Sequence, residues 1–275
     1  MARRTKTSPA PAQFRWNNSR QKAIELLQEY YLLRVNDFVS LTKARQDENA
    51  RRSIQNILQA LLAKRYIGRL RYFDDTAERA TIVYAYFLND SGAALLEDPA
   101  AAFTKESQLI PRHEIEITQF HMHLKRWTDK CGLILHWRQP KMDHGKTINP
   151  DAYFGIEDPK LPVGKNTFHY FLEMERSPLG NYKNGEPSIM RKLAKYYELY
   201  DSSDCEKQWG FRKFRVVTVV RNADKMYNLC KLMSEKFSHR MFWMTTEPLF
   251  RENIGGEIFH TPKDWQKIAY SFTTL

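Results

Sequence analysis

Cysteine is scarce in this sequence. Cys131, Cys205 and Cys230 stand far apart and form no CxxC pair. An odd, unpaired set argues against a disulfide framework and a zinc ribbon, and points to a reducing cytoplasm. Long apolar runs are also missing, so nothing reads as a membrane span. The opening "MARRTKTSPAPAQFRW" is basic but lacks the apolar run of a secretory leader. There is no GxxxxGK[ST] loop to cradle a nucleotide, no GxSxG elbow and no HExxH helix. His113, His121 and His123 therefore lack metalloprotease spacing, and His113 reads as a packing or helix-start residue. No internal repeat is visible.

What is present is a foldable, basic chain. Hydrophobic residues make up 42% of the 275 positions, enough for real cores. Lys and Arg number 43 against 32 acids, a net charge of +11. Such an excess favours a polyanion partner, most simply nucleic acid.

Residues 1–17 carry Arg3, Arg4, Lys6 and Arg15, no acid, and two prolines. They read as a disordered basic tail that adds only sequence-independent affinity. From Asn18 the pattern becomes helical, with Ile24, Leu27 and Tyr31 on one stripe and Ser19 as N-cap. "RVNDFVSLT" reads as a second helix capped by Asn36. "DENARRSIQNILQALLAKRY" reads as a third, burying Ile54, Ile57, Leu58, Leu61 and Leu62. "YIGRLRYF" and "TIVYAYFL" then form a hairpin around "DDTAERA".

Three helices followed by a two-stranded ribbon is the winged helix-turn-helix order, assigned to residues 18–98. Its third helix would enter the major groove of double-stranded DNA and its ribbon would follow the backbone. The candidate DNA-contacting residues are Arg51, Arg52, Gln55, Lys64, Arg65, Arg69 and Arg71. A small helical domain for protein contacts is the competing reading.

Residues 99–111 read as a linker. Residues 112–275 read as an α/β sandwich with the order helix, three strands, helix, strand, helix, strand. The helix of "HEIEITQFHMHLKRWTDKCG" presents Ile117, Phe120, Leu124 and Trp127 on one stripe. "LILHWRQ", "TINPDAYFGI", "TFHYFLEME", "FRKFRVVTVV" and "RMFWMTTEPLF" read as strands.

The third of these strands runs into "LEMERS". Residues two apart share a strand face, so Glu173 and Glu175 should sit side by side. Asp151 follows Pro150 at what should be the neighbouring strand. "SIMRKLAKYYELY" brings Lys192, Lys195 and Tyr196 on one helix face. Two or three carboxylates this close need a cation between them, or water. The competing reading makes Asp151 a turn residue, and Glu173 and Glu175 a solvated strand end paired with Arg176 or Lys192. A tyrosyl–DNA intermediate on Tyr196, Tyr197 or Tyr200 is the weaker option, because tyrosines on a helix packed against a sheet usually serve the core.

This constellation resembles the PD-(D/E)xK nuclease superfamily, with its restriction-endonuclease-like fold. The resemblance implies that Asp151 and Glu173 hold one Mg²⁺ or Mn²⁺. Glu175 stands where that superfamily usually has lysine, which implies a lysine moved to the next helix, Lys192 first and Lys195 second.

Over nearly the whole chain the order resembles the replication-relaxation family. The features are a winged helix, a helix opening with His113, "PDA", "LEMERS", Lys192–Leu193 with Tyr196, and a late strand ending in "TT". Its members are linked to plasmid replication and mobilisation and include relaxases of the MOBC class. Two functions follow as expectations. One is a divalent-metal-dependent nickase or relaxase-like endonuclease with catalytic Asp151, Glu173, Glu175 and Lys192. The other is a non-catalytic DNA-binding replication, transfer or transcription regulator on a relict nuclease fold. Either implies plasmid-origin DNA as partner, with relaxosome or replication proteins and a homodimer as further options.

Overall fold

The computed structural model describes residues 15–43, 45–74, 81–103, 111–139, 148–176, 182–183, 186–237, 239–266 and 269–272. The chain is mixed α/β and divides into two units, Met1–Arg112 and His113–Leu275. Of the tail assigned to residues 1–17, residues 1–14 lie outside the described residues. Trp16 sets its ring edge-on to Tyr66 at 5.6 Å, and Asn17 accepts the Arg20 N–H.

The first unit holds α1 (Asn18–Tyr30), β1 (Leu33–Arg34), α2 (Val35–Thr42), α3 (Glu48–Ala63), β2 (Ile67–Asp74), β3 (Thr81–Leu88) and α4 (Asp90–Ala94). Its sheet runs β1-β3-β2. Asn17, not Ser19, caps α1. The stripe of α1 ends on buried Tyr30, because Tyr31 leaves the helix with φ 66. Asn36 lies inside α2 rather than capping it. The cap function falls to Asp37, whose carboxylate accepts the Arg34 N–H at 2.8 Å and its guanidinium at 3.0 and 3.1 Å.

Helix α3 buries Ile54, Leu58 and Leu61, while Ile57 and Leu62 lie half-buried on its flanks. Of the hairpin loop, residues 75–80 lie outside the described residues. Of the stretch read as linker, Ala101 and Phe103 are buried, and residues 104–110 lie outside the described residues. A 3₁₀ turn spans Pro99–Ala101, and the Phe103 ring stacks on Phe87 at 4.7 Å.

The second unit holds α5 (Pro111–Cys131), β4 (Ile134–Arg138), β5 (Ala152–Glu157), β6 (Thr167–Glu175), the short strands β7 (Tyr182–Lys183) and β8 (Glu186–Pro187), α6 (Ser188–Asp201), α7 (Asp204–Trp209), β9 (Arg215–Val220), α8 (Ala223–Ser234), β10 (Phe242–Thr246) and α9 (Glu247–Asn253). Five strands form one sheet in the order β10-β9-β6-β5-β4. The β4–β5–β6 part is antiparallel, and β9 and β10 add in parallel. "RMFWMTTEPLF" is not all strand. It stops at Thr246, and Pro248 falls in the first turn of α9, where a missing N–H costs nothing.

Each sheet face carries its own core. On one, Phe171, Val216, Phe242 and Met244 meet Leu193 and Tyr196 of α6 and Leu229 of α8. On the other, Phe154, Tyr170, Leu172 and Trp243 meet Phe120 and Leu124 of α5 and Phe250 of α9. Strand alternation sorts β6 residue by residue between these two layers. Among the described residues no helix is long and apolar enough to cross a membrane.

Candidate active site

The alternation of β6 sends Leu172 and Met174 to the α5 face. Phe171, Glu173 and Glu175 take the α6 face. Ala152 pairs with Leu172 in antiparallel register, so Asp151 falls opposite Glu173. The Asp151 N–H extends that ladder by donating to Leu172 O at 3.1 Å.

Asp151 is held on both sides. Its Oδ2 accepts the Met174 N–H at 2.7 Å and lies 3.1 Å from His113 Nε2. Glu173 is only 2% exposed, and its two oxygens are taken from α6. Lys192 donates to Oε2 and Tyr196 to Oε1, one helical turn apart. Lys192 Nζ also lies 3.9 Å from Asp151 Oδ1, so one ammonium touches both acids. Glu175 takes a different cation. Lys225 of α8 donates to its Oε1 at 3.3 Å and to its carbonyl at 3.1 Å. Each of the three acids thus has a cation from a different helix: His113, Lys192 and Lys225.

Helix α5 braces the same end of the sheet. Besides His113, its Glu114 accepts Gln139 at 2.6 Å, just past β4, and its Glu116 pairs with Arg176, just past β6.

Burial alone would raise the Asp151 pKa. The His113 hydrogen bond and the Lys192 charge outweigh that and hold it below the usual carboxylate range. Glu173 goes the other way. Burial, then the Asp151 charge, push it up to about 8 against the pull of Lys192 and Tyr196. Burial would lower Lys192, but Glu173 and Asp151 hold it up. Lys192 and Glu173 titrate as one coupled pair, in which burial and the Asp151 charge push the acid up while both carboxylates hold the lysine up. His113, which burial alone would lower, is held up at about 10 by the Asp151 and Glu114 carboxylates. Burial raises Tyr196 well above its ordinary value, with Glu173 adding to the effect. It is a buried donor and a poor nucleophile.

These shifts set a pH dependence. His113 is raised in the folded state, so its contribution is complete below about pH 6.5 and is lost as pH rises towards 10. Glu173 is also raised, so its contribution fades as pH rises through about 8. Asp151 is lowered and weakens the fold only in acid. The second unit should therefore melt lower at pH 9 than at pH 6.5, and His113→Gln should flatten that fall. Each kcal/mol of stability removed moves the midpoint of a domain this size by roughly 2–4 °C. Wild-type melting that stays level across this window contradicts the assignment.

The structure thus brings together Asp151, Glu173, Lys192, Tyr196 and His113. His113 does more than start a helix. Glu175 shares their face but is engaged by Lys225, and Lys195 is exposed. His121 and His123 serve packing: His121 stacks on Trp137 at 4.2 Å and His123 meets Phe250 edge-on. Lys225 was not singled out from the sequence. It sits far along the chain, and only the parallel pairing of Glu175 with Val220 brings its helix close.

Among the described residues no group of three His, Cys, Asp or Glu is arranged to hold a metal ion. Asp151 and Glu173 nevertheless form a hard, two-carboxylate donor set. That suits Mg²⁺, which takes one or two carboxylates and fills its other positions with water and phosphate oxygens.

In the first unit, Arg51, Arg52, Gln55, Lys64, Arg65, Arg69 and Arg71 are all exposed. Arg52 meets Glu48 at 3.5 Å, with both side chains more than half exposed. Arg69 lies over the Tyr84 ring at 4.8 Å.

Fold and site together define a two-unit α/β protein with a carboxylate–lysine site at one end of its larger sheet. A family model described as replication-relaxation matches residues 26–213, and the chain belongs to that family. Membership points to a role in plasmid replication or mobilisation. No curated protein and no solved structure matches the chain.

Proposed function

We propose that this protein binds plasmid DNA through its first unit and nicks it at the acid site of its second, as a divalent-metal-dependent relaxase-like endonuclease. In this reading the first unit is a winged helix-turn-helix and the second a restriction-endonuclease-like fold. The observation that carries it is Asp151 facing Glu173 across β5 and β6, with Lys192 of the following helix in contact with both. Asp151 and Glu173 would hold one Mg²⁺ or Mn²⁺. When bound, such an ion supplies Lewis acidity and lowers the pKa of its water. His113 and the Met174 N–H fix the Asp151 rotamer. Tyr196 fixes Glu173. Lys192, whose side chain is 35% exposed, neutralises charge that develops on the phosphate.

Incubation with supercoiled plasmid carrying its own origin tests this. Open circles should form with Mg²⁺ or Mn²⁺ and not with chelator. The alternative, a DNA-binding regulator on a relict nuclease fold, is favoured by Glu175, which stands in the usual lysine place and is engaged by Lys225.

DNA binding by the first unit is supported by Arg65. It closes α3 with φ 59, a conformation that glycine adopts at less cost. Keeping arginine there is consistent with a use for its guanidinium. Arg51→Ala with Arg52→Ala should weaken binding to every sequence without lowering the melting temperature, since the exposed Arg52–Glu48 pair adds little stability. The log–log salt slope should fall by about 0.9 for each phosphate no longer neutralised. An unchanged slope excludes α3 as the DNA-binding element.

A further inference from the structure

We propose that Arg138 is a phosphate anchor of the acid site, a positioning residue that holds the nucleic-acid backbone beside Asp151. This rests on the nuclease reading of the site and adds to it the path of the substrate strand.

Strand β4 is the edge of the five-stranded sheet. Its residues alternate between faces. Leu135 and Trp137 pack on the α5 side, where the Trp137 ring stacks on His121. Ile134, His136 and Arg138 take the opposite face and are exposed. That is the face of Asp151 and Glu173. Arg138 pairs in register with Tyr153, and Asp151 lies two residues before Tyr153 on the same face. Arg138 and Asp151 are therefore diagonal neighbours, about 7–8 Å apart at the backbone. A guanidinium spans such a gap to a phosphate seated at the acid.

The cations around the acids are otherwise engaged. Lys192 is taken by Glu173, His113 by Asp151, Lys225 by Glu175 and Arg176 by Glu116. On β4 itself, His136 is held by Glu157 at 2.7 Å. Among the described residues no carboxylate pairs with Arg138. Trp209 and Phe211 cover this face over Tyr153, His169 and Phe171, and Arg138 at the sheet edge stays exposed. An exposed guanidinium beside two carboxylates is suited to draw a phosphate to a site whose own acids would repel it.

The test uses the full chain and a short duplex from the plasmid's own origin. Arg138→Ala should lower the log–log salt slope of binding by about one, and Arg138→Lys should restore it. Lys160→Ala, at the turn beyond the other end of β5, should leave the slope unchanged. In nicking assays Arg138→Ala should raise KM and leave kcat near wild type. An unchanged slope in Arg138→Ala, or a loss that Arg138→Lys does not restore, overturns the anchor. The slope is read without cleavage. A wild type that never nicks, with a slope that still falls in Arg138→Ala, removes the nuclease reading and keeps the anchor.

Discussion

Lys192→Met should destabilise the second unit by about 1–3 kcal/mol, the scale of leaving a buried acceptor without its donor. This is less than for a fully buried ion pair, because the Lys192 side chain is 35% exposed. Methionine keeps most of the aliphatic stem, so little packing changes. What disappears is the ammonium that touches both Glu173 and Asp151. Glu173 is then left almost fully buried, facing a second carboxylate, with Tyr196 as its remaining donor. It must stay ionised without a counter-charge or take up a proton. Either costs free energy at neutral pH. The sign with pH is fixed. The folded pKa of Glu173, already raised, rises further without the lysine, so the loss grows as pH increases and shrinks as pH falls towards 5. Adding Glu173→Gln should recover most of the stability, because the amide can face Asp151 without repulsion and still accept from Tyr196. Urea unfolding of wild type, both single variants and the double variant completes the cycle. A double variant no more stable than Lys192→Met removes the coupling on which the site's electrostatics depend.

Much of this arrangement is legible in the sequence, because it depends on local periods. The two-residue period of β6 puts Glu173 and Glu175 on one face. The turn of α6 puts Lys192 and Tyr196 together, one helical turn apart. The meander from β5 to β6 follows from two strands close in sequence. Long-range partners are not legible in the same way. Lys225 reaches Glu175 only because β9 and α8 add in parallel beyond β6, a pairing between segments far apart in the chain. Arg176 reads as a neighbour of Glu173 but turns to Glu116, because α5 covers the opposite face and its first turns overhang the strand end. His113 reads as a helix-start residue for the same reason: its partner Asp151 is named by tertiary placement, not by spacing. The edge position of β4, and with it the exposure of Arg138, appears only once the strand order is known.

Asp151→Asn should abolish nicking, with a loss of roughly a hundredfold or more, while DNA binding persists. The scale is that of removing one preorganised electrostatic group from a site where charge develops. Asparagine is nearly isosteric and its carbonyl can still accept the Met174 N–H, so the strand end should keep its shape. The charge is gone, and with it one of two hard ligands and the partner of His113. Metal binding can be read apart from activity. A ligand that binds only the folded state raises its stability by mass action. Mn²⁺ should therefore raise the melting temperature of the wild type and leave that of Asp151→Asn unmoved. The two measurements separate the two readings. A wild type that is stabilised by Mn²⁺ and nicks, beside an Asp151→Asn variant that does neither, fits the nuclease. A wild type that binds DNA, ignores Mn²⁺ and leaves the plasmid supercoiled fits the relict fold, in which His113, Lys192 and Lys225 balance the acids. An Asp151→Asn variant that nicks as fast as wild type fits neither, and would move the chemistry away from β5.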